Sequence, residues 1–405
     1  MKLDKDFAAS RVPDGARKGF WALFVLMVGF TFFSASMSVG ARLGNGLNLP
    51  GFLAAVVIGG LILMTYTSLL AYVGSATGLS MDLLARRAFG TLGSYLPSAL
   101  ISFTQIGWFG VGVAMFAYPI SELLGVNHWV LIVIGGVLMT STAYLGINAL
   151  TVLSYISVPL IAILGSVSIM RASGDAGGIM RIFSGSEGLT VMTGAGMVVG
   201  SFVSGGTATP NFVRFAKTRK IAVITTAIAF FLGNTLMFVF GAVGGAATGM
   251  DDIFYVMIAQ GLAIPAIVVL GLNIWTTNDS AIYSAALGLS NITKLRKKKM
   301  ALVSGFIGTV TAIWLYNNFI GWLSFLSATL PPVGTILILD YFLNRKKYAA
   351  EDEPGKQVNW FAVAGVLLGA AGANYIAWGI APVNAMAIAA VCFLCGEKIF
   401  KKQGA

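Results

Sequence analysis

Apolar stretches, most of them 18 residues or more, recur along this chain from residue 19 almost to its C-terminus. A helix rises about 1.5 Å per residue, so a run of that length matches the hydrocarbon thickness of a bilayer. A membrane β-barrel would read as short alternating segments instead, and the sequence shows none. Composition agrees: only 10% of the 405 residues are charged, against about 25% in a soluble domain. The 50 glycines suit close packing between membrane helices and permit breaks within them. The expectation is an all-α polytopic membrane protein.

Charged, Gly and Pro clusters divide the chain into twelve expected spans: 19–44, 50–76, 94–123, 128–146, 149–170, 190–216, 220–247, 261–291, 300–316, 318–343, 358–376 and 380–399. The polar, basic residues 1–18 form a tail, and the apolar stretch after them reads as a retained first span, not a cleaved signal. With the N-terminus inside and loops alternating, 23 of the 26 Lys and Arg residues fall on the inner side. Only Arg42, Arg171 and Arg181 fall outside. This bias places both termini in the cytoplasm. It also accounts for the net charge of +11 without a nucleic-acid partner. The run KLRKKK at 294–299 is then a topology signal and a contact for lipid headgroups. The amphipathic stretch TGLSMDLLARRAFG, too short to cross, is expected along the inner surface.

Spans one and six carry related text: MVGFTFFSASMSVG at 27–40 and MVVGSFVSGGTATP at 197–210. Helix interiors rich in Gly, Ser and Thr are weak, and Pro210 adds a kink. Either segment alone reads equally well as close helix packing. Paired interruptions five spans apart point to an inverted-repeat transporter whose site lies between the breaks.

Span eight contains LNIWTTNDSAIYS at 272–284, a dense run of polar groups at membrane depth. Thr276 and Thr277 offer adjacent hydroxyls, and Asn273 lies three and four residues earlier on the same side. Hydroxyls and backbone carbonyls suit a hard monovalent cation, although threonine hydroxyls also bond back to their own helix. Asp279 is the one acid deep within a span, which keeps proton coupling as the rival to sodium. In span three, Gln105 and Trp108 share a helix face. An amide beside an indole suits a flat, polar, uncharged ring, with Phe202 able to cover the ring's other side. Cross-helix hydrogen bonding and aromatic packing are the plainer alternative there. Cys392 and Cys395 form an isolated C-x-x-C with no second pair, read as small packing residues. His128, the single histidine, sits at a helix start, so a histidine-based metal site is not expected.

GLNIWTTNDSAIY, QIGWFGVGVAMFAYP, GFTFFSASM, WLYNNFIGWLSFLSATLPPVG and LLARRAFG together resemble the nucleobase–cation symporter-1 family, and within it the bacterial branch that takes cytosine. The resemblance runs over roughly residues 15–400. It implies the fold of LeuT-type symporters: a five-plus-five inverted repeat with broken helices one and six. The repeats would be 19–171 and 190–343, with 358–400 forming two peripheral helices. It implies a sodium site of the carbonyls of Gly29, Phe32 and Asn273 with the side chains of Thr276 and Thr277. The implied substrate residues are Phe33, Gln105, Trp108, Phe202, Ser204, Gly205 and Asn278. Hydantoin-transporting relatives have a second Trp where this chain has Phe202 and an amide where it has Phe33, which suits a smaller ring such as cytosine.

The function expected from this resemblance is sodium-driven import of cytosine by alternating access in the bacterial inner membrane, by a monomer. Proton coupling, another nucleobase or a hydantoin is the alternative. Gly321 and Pro331–Pro332 are the expected flex points of an occluding span ten. A channel would need repeated filter sequences, and an intramembrane enzyme paired acids or a histidine set. An amino-acid carrier of the same fold would need groups for a free carboxylate and amine. None of these is evident in the sequence.

Overall fold

The computed structural model describes residues 6–175, 177–183, 188–349, 357–376 and 378–403. The regular structure among them is helical, apart from one isolated bridge between Lys18 and Ala216. The first span is bent by 51° into Phe20–Thr31 and Ser34–Gly46, the two halves of α1. There follow α2 (Leu49–Thr77), α3 (Tyr95–Leu124), α4 (His128–Leu145), α5 (Ile147–Asp175), α6 (Val191–Thr207) and α7 (Arg219–Thr248). Then come α8 (Gly271–Thr293), α9 (Lys297–Asn317), α10 (Phe319–Leu343), α11 (Trp360–Tyr375) and α12 (Ala381–Gln403). Eight helices among the described residues are long and apolar enough to cross a membrane, nine with the bent pair. α8, α10 and α11 are more polar or have shorter apolar stretches. Together the set is consistent with twelve spans.

Local chemistry sets the ends. Asn48 caps α2 by accepting from Gly51 N, with Pro50 in the first turn, and Gly78 closes it in the left-handed region at φ 66°. Large apolar side chains such as Val133, Val137, Ile163, Phe306 and Val310 remain exposed on the outside of the bundle, as a lipid-facing surface requires.

The packing has an internal twofold pattern. The halves of α1 pack on α5 and α7, and α6 packs on α10 and α2. α3 packs on α8 and α9, while α8 packs on α3 and α4. Shifting every helix number by five maps these pairs onto each other. α11 and α12 pack on each other and on α10, at the edge of the bundle.

Loops gather at two ends. At one end Val12 N donates to Gly78 O (2.9 Å), Lys217 N to Lys18 O (3.0 Å), Arg11 to Tyr348 O (2.8 Å) and Asn359 N to Phe89 O (2.6 Å). At the other, Asp251 meets Asn45 (3.0 Å) and Arg42 (3.5 Å), Tyr255 donates to Glu122 (2.8 Å) and Arg171 to Gln260 O (2.5 Å). This sorting is the alternation the basic residues imply, and Arg42 and Arg171 have local partners at the basic-poor end. Two expectations need correction. Lys297 in the basic run is buried and ion-paired with Asp6, so that residue ties the N-terminal tail to α9 and does not face headgroups. The stretch after α2 forms a helix, Met81–Phe89, capped by Ser80. Most of it is buried against the protein, because Met81 N bonds Asn211 (2.8 Å) and Arg87 reaches Lys347 O.

Candidate substrate and cation sites

α1 breaks at Phe32 (φ −74°, ψ 92°) and Phe33 (φ −134°, ψ 130°), both extended. A break strands carbonyls on one side and N–H groups on the other. Asn273 of α8 answers both: its Oδ1 accepts from Ser34 N at 2.6 Å and its Nδ2 donates to Phe32 O at 2.5 Å. The interruption of α6 is milder. The helix runs to Thr207, turns at Ala208–Thr209 and restarts as the single turn Pro210–Val213.

The five expected cation ligands lie together at the break. Thr276 Oγ1 is 2.8 Å from Asn273 O and 3.4 Å from Gly29 O. Thr277 Oγ1 is 3.3 Å from both Phe32 O and Asn273 O. All five residues are buried. The donors are neutral oxygens, three carbonyls and two hydroxyls. That set fits a hard monovalent cation. The threonine protons now point at those carbonyls, and a bound cation would turn them away.

Beside this cluster lies a small cavity lined by Phe30, Phe33, Gln105, Trp108, Ser201, Phe202, Ser204, Gly205, Thr277 and Ala281. Phe33 meets the Trp108 indole edge-on, with centroids 5.6 Å apart. Trp108 Nε1 donates to Ser204 Oγ at 2.7 Å. Gln105 is 2% exposed, and its Nε2 has no hydrogen-bond partner among the described residues. A buried amide left so costs about 1–3 kcal/mol, recoverable from a ligand acceptor. The arrangement offers an aromatic-lined cavity with an amide and a hydroxyl in its wall.

Six of the seven expected substrate residues line this cavity. Asn278 does not. Each helical residue turns about 100°, so Thr277 faces the cavity while Asn278 turns toward α3 and α4. There it donates to Phe109 O (3.1 Å) and contacts Met139 Sδ (3.2 Å). Phe30, Ser201 and Ala281 were not foreseen. Ser201 sits one turn before Ser204 and Gly205 and shares their face, a spacing readable from sequence. Nor was the side-chain role of Asn273, which the sequence reading treated only as a carbonyl. Asp279 is fully buried but stands apart, accepting a short hydrogen bond from Thr142.

Comparisons with known proteins bear on the family and the fold. The family described as "Permease for cytosine/purines, uracil, thiamine, allantoin" matches residues 11–395. The cytosine permease of Escherichia coli K12 is 51% identical over 406 residues, covering 100% of this chain and 97% of that protein. The hydantoin permease of Microbacterium maritypicum is 25% identical over 303 residues, covering 67% of this chain and 62% of that protein. Among solved structures, Mhp1, a nucleobase-cation-symport-1 family transporter in a closed conformation with bromovinylhydantoin bound, superposes with a TM-score of 0.84 at 20% identity. That match covers 99% of this chain and 96% of that one. A Na⁺-coupled sialic acid symporter gives 0.73 at 16% identity, covering 97% and 90%. The chain thus has the fold of these transporters, and it belongs to the family of permeases for cytosine and purines, uracil, thiamine and allantoin.

Proposed function

We propose that this chain imports cytosine together with sodium, by alternating access across the bacterial inner membrane, with both termini in the cytoplasm. The observation that carries this reading is the sharing of parts between the two sites. Thr277 lines the cavity and also belongs to the oxygen cluster, and Phe32 and Phe33, adjacent at the break, each serve one of them. A cation held by Gly29, Phe32, Asn273, Thr276 and Thr277 joins α1 to α8 and fixes the break that shapes the cavity.

Cytosine, a flat neutral ring, then enters between Trp108 and Phe202. Gln105 Nε2 donates to a ring acceptor, and the Ser204 hydroxyl and the backbone near Gly205 meet the ring edge. The first part of α10 closes over the outer side, flexing near Gly321 and Pro331–Pro332. The five-helix units 19–171 and 190–343 supply the rocking elements, and the cargo leaves inside. Each sodium carries one charge inward, worth about 2.3 kcal/mol per 100 mV. One chain forms both sites, so a monomer suffices. The position of Asp279, turned away from cavity and cluster, favours sodium over the proton.

Binding of cytosine to the purified protein tests the assignment. Base–aromatic stacking is worth about 1–3 kcal/mol, so Trp108→Ala should weaken binding by about 5- to 150-fold. Thr276→Ala should remove the sodium dependence of binding. Wild-type affinity in the first variant, or unchanged sodium dependence in the second, would take that residue out of the site.

A further inference from the structure

The cation cluster occupies one face of α8, and the opposite face carries polar chemistry that neither site uses. Trp275 and Asp279, one turn apart, both reach Thr142 of α4. Trp275 Nε1 donates to Thr142 Oγ1 at 2.9 Å, and Thr142 Oγ1 donates to Asp279 Oδ1 in a short hydrogen bond. Thr142 Oγ1 also lies 3.0 Å from Met139 O. Its single proton is best placed on the carboxyl oxygen, the stronger acceptor. Asp279 is 0% exposed, and its Oδ2 has no hydrogen-bond partner among the described residues. A carboxyl at this depth is costly, and an apolar side chain would fill the place without that cost.

The geometry points to a reason. Thr276 and Thr277 lie between Trp275 and Asp279 in sequence and face the other way, toward Gly29 and Phe32 of α1. The orientation of α8 about its own axis therefore decides where their hydroxyls stand. Those hydroxyls lie about 5 Å from the helix axis, so a turn of about 10° moves them by nearly 1 Å. A ligand set tolerates about 0.5 Å. We propose that Trp275, Thr142 and Asp279 form a clasp that fixes the rotation of α8 and thereby sets the affinity for the coupling cation. The three are positioning residues, and the proposal rests on the reading of the oxygen cluster as the sodium site.

The test is sodium titration of cytosine binding to the full-length purified protein, in wild type, Thr142→Val, Thr142→Ser and Thr276→Ala. Valine keeps the shape of Thr142 and removes the hydroxyl. Partners bonded directly to metal ligands typically change affinity by about 10–100-fold, and this clasp acts on the ligands through the helix, so about tenfold is the scale expected. Thr142→Val should raise the half-saturating sodium concentration by about that factor while leaving cytosine affinity at saturating sodium unchanged, and Thr142→Ser should restore it. Unchanged sodium dependence in Thr142→Val, with dependence lost in Thr276→Ala, overturns the clasp and leaves the sodium site standing. Equal weakening of sodium and cytosine binding in Thr142→Val, unrestored by serine, marks general loosening and also overturns it. If Thr276→Ala titrates like wild type, the sodium-site reading fails first and the clasp falls with it.

Discussion

Asn273 holds the broken first helix open with a single amide, donating to the carbonyl on one side of the break and accepting from the N–H on the other. Its backbone carbonyl meanwhile faces both threonines. Asn273→Ala should strand both groups at about 1–3 kcal/mol each. We expect a lower melting temperature and loss of sodium dependence together, both readable on the purified protein. Gly205 is held small by its surroundings: a Cβ there would stand 2.5 Å from Phe202 Cε1 and 2.8 Å from Phe30 Cζ. Gly205→Ala should push Phe202 into the cavity and cut cytosine affinity by about fivefold or more, since overpacking typically costs about 1–3 kcal/mol. The gathering of Gln105, Trp108 and Phe202 at one cavity was legible because an amide and aromatic rings at membrane depth need one another or a ligand as partners. Asn278 was misplaced because a polar run does not say which neighbour faces which helix. Thr277 and Asn278 differ by one step and look alike on the page, yet point to different helices.

At the scale of elements, the second half of α1 and α7 run parallel and in close contact. Gly40 lies against the backbone of Phe238, Gly44 against Ala242, Gly241 against Met37 and Gly245 against Ala41. The small residues of MSVG thus serve packing, while the preceding FTFF carries the break. The two readings of that segment are both realised, a few residues apart. A Cβ on Gly241 would stand 1.7 Å from the Met37 carbonyl oxygen. Backbone cannot yield as a side-chain tip can, so Gly241→Ala should lower stability by more than the usual overpacking cost of about 1–3 kcal/mol. Thermal unfolding in detergent checks this. The gentler interruption of α6 was less legible. Gly205, Gly206 and Pro210 mark a weak helix, but tertiary packing on α2 and α10 keeps Val191–Thr207 regular.

Across the whole molecule, the basic residues foretold which loops share an end, because membrane insertion sorts charge and the loops then meet. The polar ties at each end were not foretold, since they join residues distant in sequence. One tie at the basic-poor end titrates. Burial pushes the Asp252 carboxyl up to about 6, with hydrogen bonds from Phe254 N and Tyr316 opposing the shift and the Glu122 charge adding to it. Its folded value lies above the usual 3.8. The stabilising contribution is therefore fully present below that value and is lost as pH rises through about 6. Melting temperature should rise as pH falls from 7 to 5, and Asp252→Asn should flatten that dependence.

The central claim is that an oxygen cluster at a helix break couples sodium to the aromatic-lined cavity beside it. Cytosine accumulation in proteoliposomes tests it most directly, with an imposed sodium gradient compared against an imposed proton gradient at matched voltage. Accumulation driven by sodium alone is the predicted result. Accumulation driven by protons alone would contradict it, and would return Thr276 and Thr277 to the packing of their own helix.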